Sequence, residues 1–226
     1  MESHKLEELL DEFRKVVAGR RPWGDAIGPP FAFLLIHLCC GVWPAIWGAV
    51  GLAALITLVR LIRKHPLRYA LGGLGGVAIA SLAAVLLDRG EGFFLPGMVS
   101  GSVTSAVCLV SVIVRRPLVA WTSFAARRWP LAWYWHPRVR PAYSEVSLAW
   151  FVFFAGRLLL QYFLFQRGAT DTLAIANLGL GWPALVLLLA ASYLYGLWRL
   201  RTLHGPSVDE FKNETPPPWT GQKKGF

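Results

Sequence analysis

The chain has 226 residues, of which 55% are hydrophobic and only 16% are charged, and its mean hydropathy is +0.46. A soluble globular chain usually carries about 25% charged residues. This composition therefore excludes a disordered chain, a disulfide-stapled secreted domain and most cytosolic enzyme folds. It predicts an all-α, polytopic membrane protein, because six helices of ~20 apolar residues each would use the apolar residues present.

Long stretches without charge mark the predicted helices. The first of them, residues 26–59, is too long for one crossing and contains Gly41 and Pro44, which favour a tight turn. We predict six transmembrane helices at about 27–41, 43–62, 68–87, 95–114, 145–165 and 180–198. Because Pro29, Pro30 and Gly41 shorten segment 27–41, a re-entrant hairpin is the alternative to a full crossing there.

The basic residues indicate the orientation of these helices. Of 23 Lys and Arg residues, 20 lie before the first helix, after the second, after the fourth or after the sixth, and the others are Arg89, Arg157 and Arg167. By the positive-inside rule, both termini are cytoplasmic and the protein is a multi-pass protein of the inner (plasma) membrane. The net charge of +10 then indicates anionic lipid headgroups as partners, and no nucleic acid.

The two ends of the chain differ from its centre. Residues 1–21 carry charges and an apolar face, which predicts an amphipathic helix on the cytoplasmic membrane surface, with a partner-binding helix as the alternative. Residues 22–203 form the predicted six-helix domain. Residues 204–226 are polar and contain Pro216, Pro217 and Pro218, so we expect a disordered cytoplasmic tail.

Repeated motifs predict how the helices are arranged. The sequence Trp-Pro-Ala begins at residues 43 and 182, and a similar Leu-Pro-Gly begins at 95. Proline in the first turn is typical of a helix start, so we predict three tandem helical hairpins. Small residues recur every four positions on several segments, which predicts close helix packing, with a homo-oligomer face as the alternative.

One charge lies well inside a predicted helix. Arg157 is about eight residues, or ~12 Å, from the outer end of the predicted segment 145–165. An intramembrane charge is a functional candidate. Alternatively, Arg157 extends outward toward Gln161 and the acidic loop of Asp88 and Glu91, and fixes helix packing.

His37 lies close to Cys39 and Cys40, which invites a metal interpretation. The four ligands at paired spacing that a structural zinc site needs are missing, so we assign His37 to the candidate polar site only and expect no metal and no cofactor. The sequence has no phosphate loop, zinc-protease motif or nucleophile elbow, and we expect no catalytic residues and no enzyme.

Three stretches carry a family resemblance: residues 88–97 (Asp-Arg-Gly-Glu-Gly-Phe-Phe-Leu-Pro-Gly), residues 114–118 (Val-Arg-Arg-Pro-Leu) and residues 148–154 (Leu-Ala-Trp-Phe-Val-Phe-Phe) with Arg157. They resemble an uncharacterised bacterial membrane family of the domain-of-unknown-function type, over most of residues 22–203. More distantly, the second and third stretches are similar to the intracellular septation protein A family of inner-membrane proteins. The chain departs from that family at Arg157, where the family has a neutral residue, and in its longer loop at 115–143.

The resemblance implies a role in the cell envelope or in septation, as a scaffold or assembly factor with membrane or envelope-protein partners. The alternative from the residues is a transporter or channel for a small solute or a lipid carrier, with Arg157 in an anion pathway. A structure that places Arg157 against lipid, a packed core or a polar cavity distinguishes the two hypotheses.

Overall fold

The computed structural model describes residues 35–36, 39–62, 67–222 and 225–226. These residues form helices and turns, and no strand occurs among them. The predicted all-helical class is therefore confirmed for this part of the chain. The chain divides into two compact units, Met1–Asp88 and Arg89–Phe226.

The first unit contains two packed helices, α1 (Val42–Ile62) and α2 (Leu67–Leu86). They match the predicted segments 43–62 and 68–87. Small side chains spaced four residues apart are buried on both helices, as close helix packing requires: Ala45, Ala49, Ala53, Ala80 and Ala84. The predicted surface helix at 1–21, the segment 27–34 and His37 lie outside the described residues.

The second unit begins with a 3-10 helix and continues with seven α-helices. Their bounds are Gly90–Phe94 for the 3-10 helix, then α3 (Leu95–Ile113), α4 (Leu118–Arg127), α5 (Leu131–Tyr134), α6 (Arg140–Gln166), α7 (Thr170–Gly179), α8 (Trp182–Thr202) and α9 (Val208–Lys212). The central helix is α6, which packs against α3, α4, α7 and α8. A proline in the first turn starts α3, α6 and α8, as the repeated motifs predicted for α3 and α8.

Within the described part of the chain, three helical stretches are long and apolar enough to cross a membrane, by length and composition. They are Gly90–Ile113, Arg140–Gln166 and Thr170–Thr202, and shorter apolar helices cover Trp43–Val59 and Gly75–Leu86. Many large apolar side chains on these helices are exposed, including Leu159, Leu187 and Ile113. Such surfaces are typical of lipid-facing helices, so the membrane-protein class is supported.

The structure departs from the predicted segments in the second half of the chain. Helix α6 begins at Arg140, before the predicted start at 145, because Pro141 is compatible with the first helical turn and the extra turn packs Ala142 and Tyr143 into a core. The predicted loop at 115–143 contains α4 and α5. The predicted segment 180–198 corresponds to α8, but α7 precedes it, and the two helices are separated by Leu180 and Gly181.

The tail also departs from the expectation of disorder. Residues 204–222 include helix α9, which starts with a capping box in which the Ser207 hydroxyl accepts from the Glu210 backbone N–H and the Glu210 carboxylate accepts from the Ser207 backbone N–H. Val208 and Phe226 are buried. The burial of these two side chains supplies the tertiary contacts that order the tail. The mostly polar composition of the tail did not indicate these contacts.

One hydrophobic core, here called the aromatic core, lies where α4, α5, the start of α6, the end of α8 and the tail meet. Trp133, Tyr134 and Tyr143 are fully buried in it, with ring centroids 5.1 to 6.1 Å apart in edge-to-face contacts. Its buried members are Val119, Ala120, Trp133, Tyr134, Val139, Ala142, Tyr143, Val146, Leu200, Val208 and Phe226. Residues from five separate parts of the chain are thus packed into one module.

Candidate functional site

The predicted intramembrane charge, Arg157, lies on α6 and reaches across to α7. Its Nη2 atom donates to Asn177 Oδ1 at 3.2 Å, and Gln161 Nε2 donates to the same oxygen at 2.7 Å. Arg157 and Gln161 are four residues apart and therefore lie on the same face of α6. The structure thus brings together two of the predicted polar residues through a third, Asn177, that the sequence analysis missed.

Asn177 is held in place by its own helix. Its Nδ2 atom donates to the Leu173 carbonyl oxygen at 2.9 Å, which leaves Oδ1 directed at the two donors of α6. Gln161 is only 2% exposed, and Arg157 is half-buried. Asn177 is the single polar residue in the apolar run from Leu173 to Leu178, and this was the sequence signal for the contact with Arg157 and Gln161. No local pattern indicated which helix Asn177 would contact.

The cluster lies beside the break between α7 and α8. A Cβ atom on Gly181 would lie 2.6 Å from the Asn177 carbonyl oxygen, so the tight turn after α7 requires glycine at this position. The same Asn177 therefore contributes its side chain to the Arg157 contact and its backbone to the turn.

The acidic residues expected near Arg157 have other surroundings. Glu91 is 6% exposed and accepts a hydrogen bond from the Thr170 hydroxyl, one residue into α7. Asp88 is exposed at the end of the first unit. Among the described residues of the second unit, no carboxylate lies within 4 Å of the Arg157 guanidinium, and Glu91 is bonded to Thr170 instead.

Arg199, unlike Arg157, is paired with a carboxylate. Arg199 on α8 makes a bidentate contact with Glu145 on α6, with Nε to Oε2 at 2.7 Å and Nη2 to Oε1 at 2.8 Å. The Tyr195 hydroxyl donates to Glu145 at 2.8 Å. This pair fixes α6 against α8 near the aromatic core, which contains Leu200.

The tail is held against the aromatic core by directional contacts. Trp133 Nε1 donates to the Pro206 carbonyl oxygen at 2.9 Å, and Arg127 Nε donates to the Phe226 backbone oxygen at 3.0 Å. Burial raises the pKa of Tyr134, against the opposing effect of its hydrogen bond with Ser123. These hydrogen bonds join the tail to α4 and α5.

Guanidinium groups surround the aromatic core and stack on indole rings. Arg116 lies over Trp135 at 4.4 Å from the ring centroid, and Arg138 lies over Trp219 at 5.5 Å. Such cation–π contacts hold the arginine side chains in place while their charge stays near the surface. Arg116, which follows α3, and Arg138, which precedes α6, therefore lie at the same end of the second unit.

The cysteines give no metal centre in the described part of the chain. Cys39 and Cys40 are exposed free thiols, and Cys108 is a buried free thiol on α3. No group of three or more His, Cys, Asp or Glu side chains in the described residues could hold a metal ion. The apolar surroundings of Cys108 indicate a packing role.

Comparison with known proteins gives a family match. The model of the family described as protein of unknown function (DUF3159) matches residues 17–200. No curated protein and no solved structure matches the chain.

Proposed function

We propose that this chain, which belongs to the DUF3159 family of unknown function, is a scaffold or assembly factor of the bacterial cell envelope. In this proposal it crosses the inner membrane six times, with both ends on the cytoplasmic side. The observation that carries the proposal is the aromatic core, which builds a compact module from loops and a tail at one end of the apolar helices.

The charge distribution supports a cytoplasmic position for this module. Basic residues follow α3, precede α6 and end α8, and all three places adjoin the aromatic core: Arg115, Arg116, Arg138, Arg140, Arg199 and Arg201. At the other end of the same helices, Arg89 and Arg167 are accompanied by Glu91 and Asp171. Under the positive-inside rule the basic end is cytoplasmic, where anionic headgroups would contact its rim.

The surface of the module supports a docking role. Trp121 on α4 is 43% exposed, and its ring centroid lies 5.7 Å from that of Trp135. The guanidinium of Arg116 stacks on the Trp135 ring. Tryptophan and arginine are enriched at protein interfaces because they provide large contact areas with directional polar groups. A rigid core beneath these side chains keeps the surface in one conformation, so a partner would bind with little ordering cost.

The experiment is complementation of a deletion strain. We expect the deletion to sensitise cells to envelope stress or to alter septation, and we expect the double variant Trp121→Ala, Arg116→Ala to reach the membrane at wild-type level without restoring growth. Trp47→Ala is the matched control, because Trp47 is a 70% exposed tryptophan on α1, in the other unit. Full rescue by the double variant, or a deletion strain with no envelope defect, would contradict the scaffold role.

A second candidate function is a transporter or channel for a small anionic solute or a lipid carrier. It is favoured by Arg157, which lies beside a helix break without a carboxylate partner among the described residues. Flux of the anion into proteoliposomes that contain the purified protein, and its loss in Arg157→Gln, would test this function directly.

A further inference from the structure

We propose that Arg157, together with Gln161 and Asn177 at the break between α7 and α8, forms a binding site for a phosphate group, either free or as a lipid headgroup. This inference goes beyond the scaffold role and does not depend on it. The transport alternative requires such a site. If the protein bound phosphate but did not transport it, the binding site would be supported and the transport function would be contradicted.

Arg157 carries a charge that no neighbouring carboxylate neutralises within the described residues. The guanidinium donates a 3.2 Å hydrogen bond to a neutral amide oxygen, and no carboxylate of the described residues lies within 4 Å. An isolated cation inside an apolar helix bundle is unfavourable unless an anion accompanies it. Arg199 shows the contrast, because Glu145 neutralises it through two short hydrogen bonds.

The break between α7 and α8 lies next to Asn177. Thr170–Thr202 is one apolar stretch, but its helix is interrupted at Leu180 and Gly181, three and four residues after Asn177. Non-helical backbone at membrane depth is tolerated where it is buried in protein or lines a polar cavity, and discontinuous membrane helices carry ligand sites in many transporters. Asn177 connects the two features, because its side chain accepts a hydrogen bond from Arg157 and its carbonyl oxygen packs against Gly181 at the break.

The donors of Arg157 have the chemistry that an oxyanion requires. A guanidinium is a planar fork of five N–H donors that matches the oxygens of phosphate or carboxylate. One of these donors is hydrogen-bonded to Asn177 Oδ1, which orients the guanidinium. Gln161, on the same face of α6, donates to the same oxygen and holds Asn177 in place. The remaining Arg157 donors are suited to an oxyanion, and a phosphate group is the oxyanion that a membrane presents in abundance.

The test uses the full chain, purified in detergent without added phospholipid. Its thermal unfolding is followed while inorganic phosphate is titrated at constant ionic strength against chloride, and separately while a water-soluble short-chain phosphatidic acid is titrated. A ligand that binds the folded state raises Tm in a saturable way. We expect wild-type protein to be stabilised by at least one probe, and Arg157→Gln to bind about tenfold more weakly.

The matched control is Arg167→Gln, which removes a positive charge from the end of the same helix. Arg167 is exposed, and its guanidinium lies over the Phe163 ring at 4.0 Å, so this variant should bind like wild type. Stabilisation by inorganic phosphate supports a site for a free anion, and stabilisation by the lipid alone supports a headgroup site. The proposal is overturned if neither probe stabilises wild-type protein, or if Arg157→Gln binds as tightly as Arg167→Gln.

A conservative variant covers the case in which Arg157→Gln does not fold. Arg157→Lys keeps the charge but loses the planar fork, so it should bind more weakly than Arg167→Lys in the same titrations. Equal affinities of the two lysine variants would likewise overturn the proposal.

Discussion

Phe226 stacks on Tyr143 of α6, with ring centroids 4.4 Å apart and an angle of 8° between the ring planes. The contact is possible because Gly196 on α8 has no side chain, since a Cβ atom there would overlap the Phe226 ring. Arg127 of α4 holds the backbone oxygen of the same residue. One residue of the tail is thereby tied to three helices of the module.

Replacing this glycine should release the tail. We expect Gly196→Ala to displace Phe226, because overpacking a filled site costs about 1–3 kcal/mol. Limited trypsin cleavage at the exposed Lys212 of the purified protein should then be at least about fivefold faster than in wild type. Gly156→Ala is the control, since a Cβ atom on Gly156 of α6 meets no atom within 4 Å. Equal cleavage rates in Gly196→Ala and wild type would contradict the packing of Phe226 against Gly196.

The tail should also respond to acid. The backbone N–H groups of Ser207 and Thr220 donate to the Glu210 carboxylate at 2.8 and 2.7 Å and lower its pKa from 4.5 to about 2. Because the folded pKa lies below the unfolded one, this contribution to stability is complete above about pH 4.5 and is lost as the pH falls toward about 2.

Hydrogen exchange of the tail amides, corrected for the intrinsic exchange rate at each pH, measures this effect. We expect protection of residues 207–220 to fall between pH 4.5 and 2 in wild type, and to be lower but less pH-dependent in Glu210→Gln. Asp209→Asn, a change at the exposed neighbouring carboxylate, should keep the wild-type profile. A profile of Glu210→Gln that matches wild type would show that another group controls the tail.

Glu91 and Thr170 connect the 3-10 helix to the start of α7. Thr170→Val removes the hydroxyl that donates to the buried Glu91 carboxylate, so we expect a loss of about 1–3 kcal/mol in the free energy of unfolding. At about 2–4 °C per kcal/mol for a chain of this size, Tm in detergent should fall by several degrees. Thr172→Val, two residues away and exposed, should leave Tm unchanged, and identical melting of the two variants would argue against the contact.

The orientation can be tested with the free thiols. Cys40 is exposed and Cys108 is buried, so a Cys39→Ser variant offers one reactive thiol in the described residues. A membrane-impermeant maleimide should label Cys40 in intact cells, since our topology places this residue outside.

The cytoplasmic control for this experiment is Thr215→Cys in a cysteine-free background, because Thr215 is exposed in the tail. It should be labelled only after the cells are permeabilised. If Cys40 also required permeabilisation, the outside position of Cys40 would be wrong and the re-entrant alternative for 27–41 would be favoured.

The helices were predictable where their signals were local. Trp43 and Pro44 started α1, and Leu95 and Pro96 started α3, at the positions that the motifs indicated. The spacing of Arg157 and Gln161 already put both on the same face of α6. Asn177 was not predictable as their partner, because it lies 16 residues or more further along the chain, and a contact at that separation depends on how α7 folds back along α6.

The apolar stretches and the basic loops were determined by the sequence alone, because a helix satisfies its backbone hydrogen bonds within itself and the hydropathy of a segment is the sum of its own side chains. Only the tertiary structure decided the break before α8, the partners of Arg157 and Glu91, and the ordering of the tail. Each of these depends on complementary surfaces far apart in sequence, such as Trp133 with Pro206 or Arg127 with Phe226, separated by 73 and 99 residues. Such contacts stabilise the chain only after the helices have packed, because the entropy cost of ordering the chain must be met first. No local sequence pattern therefore indicates them.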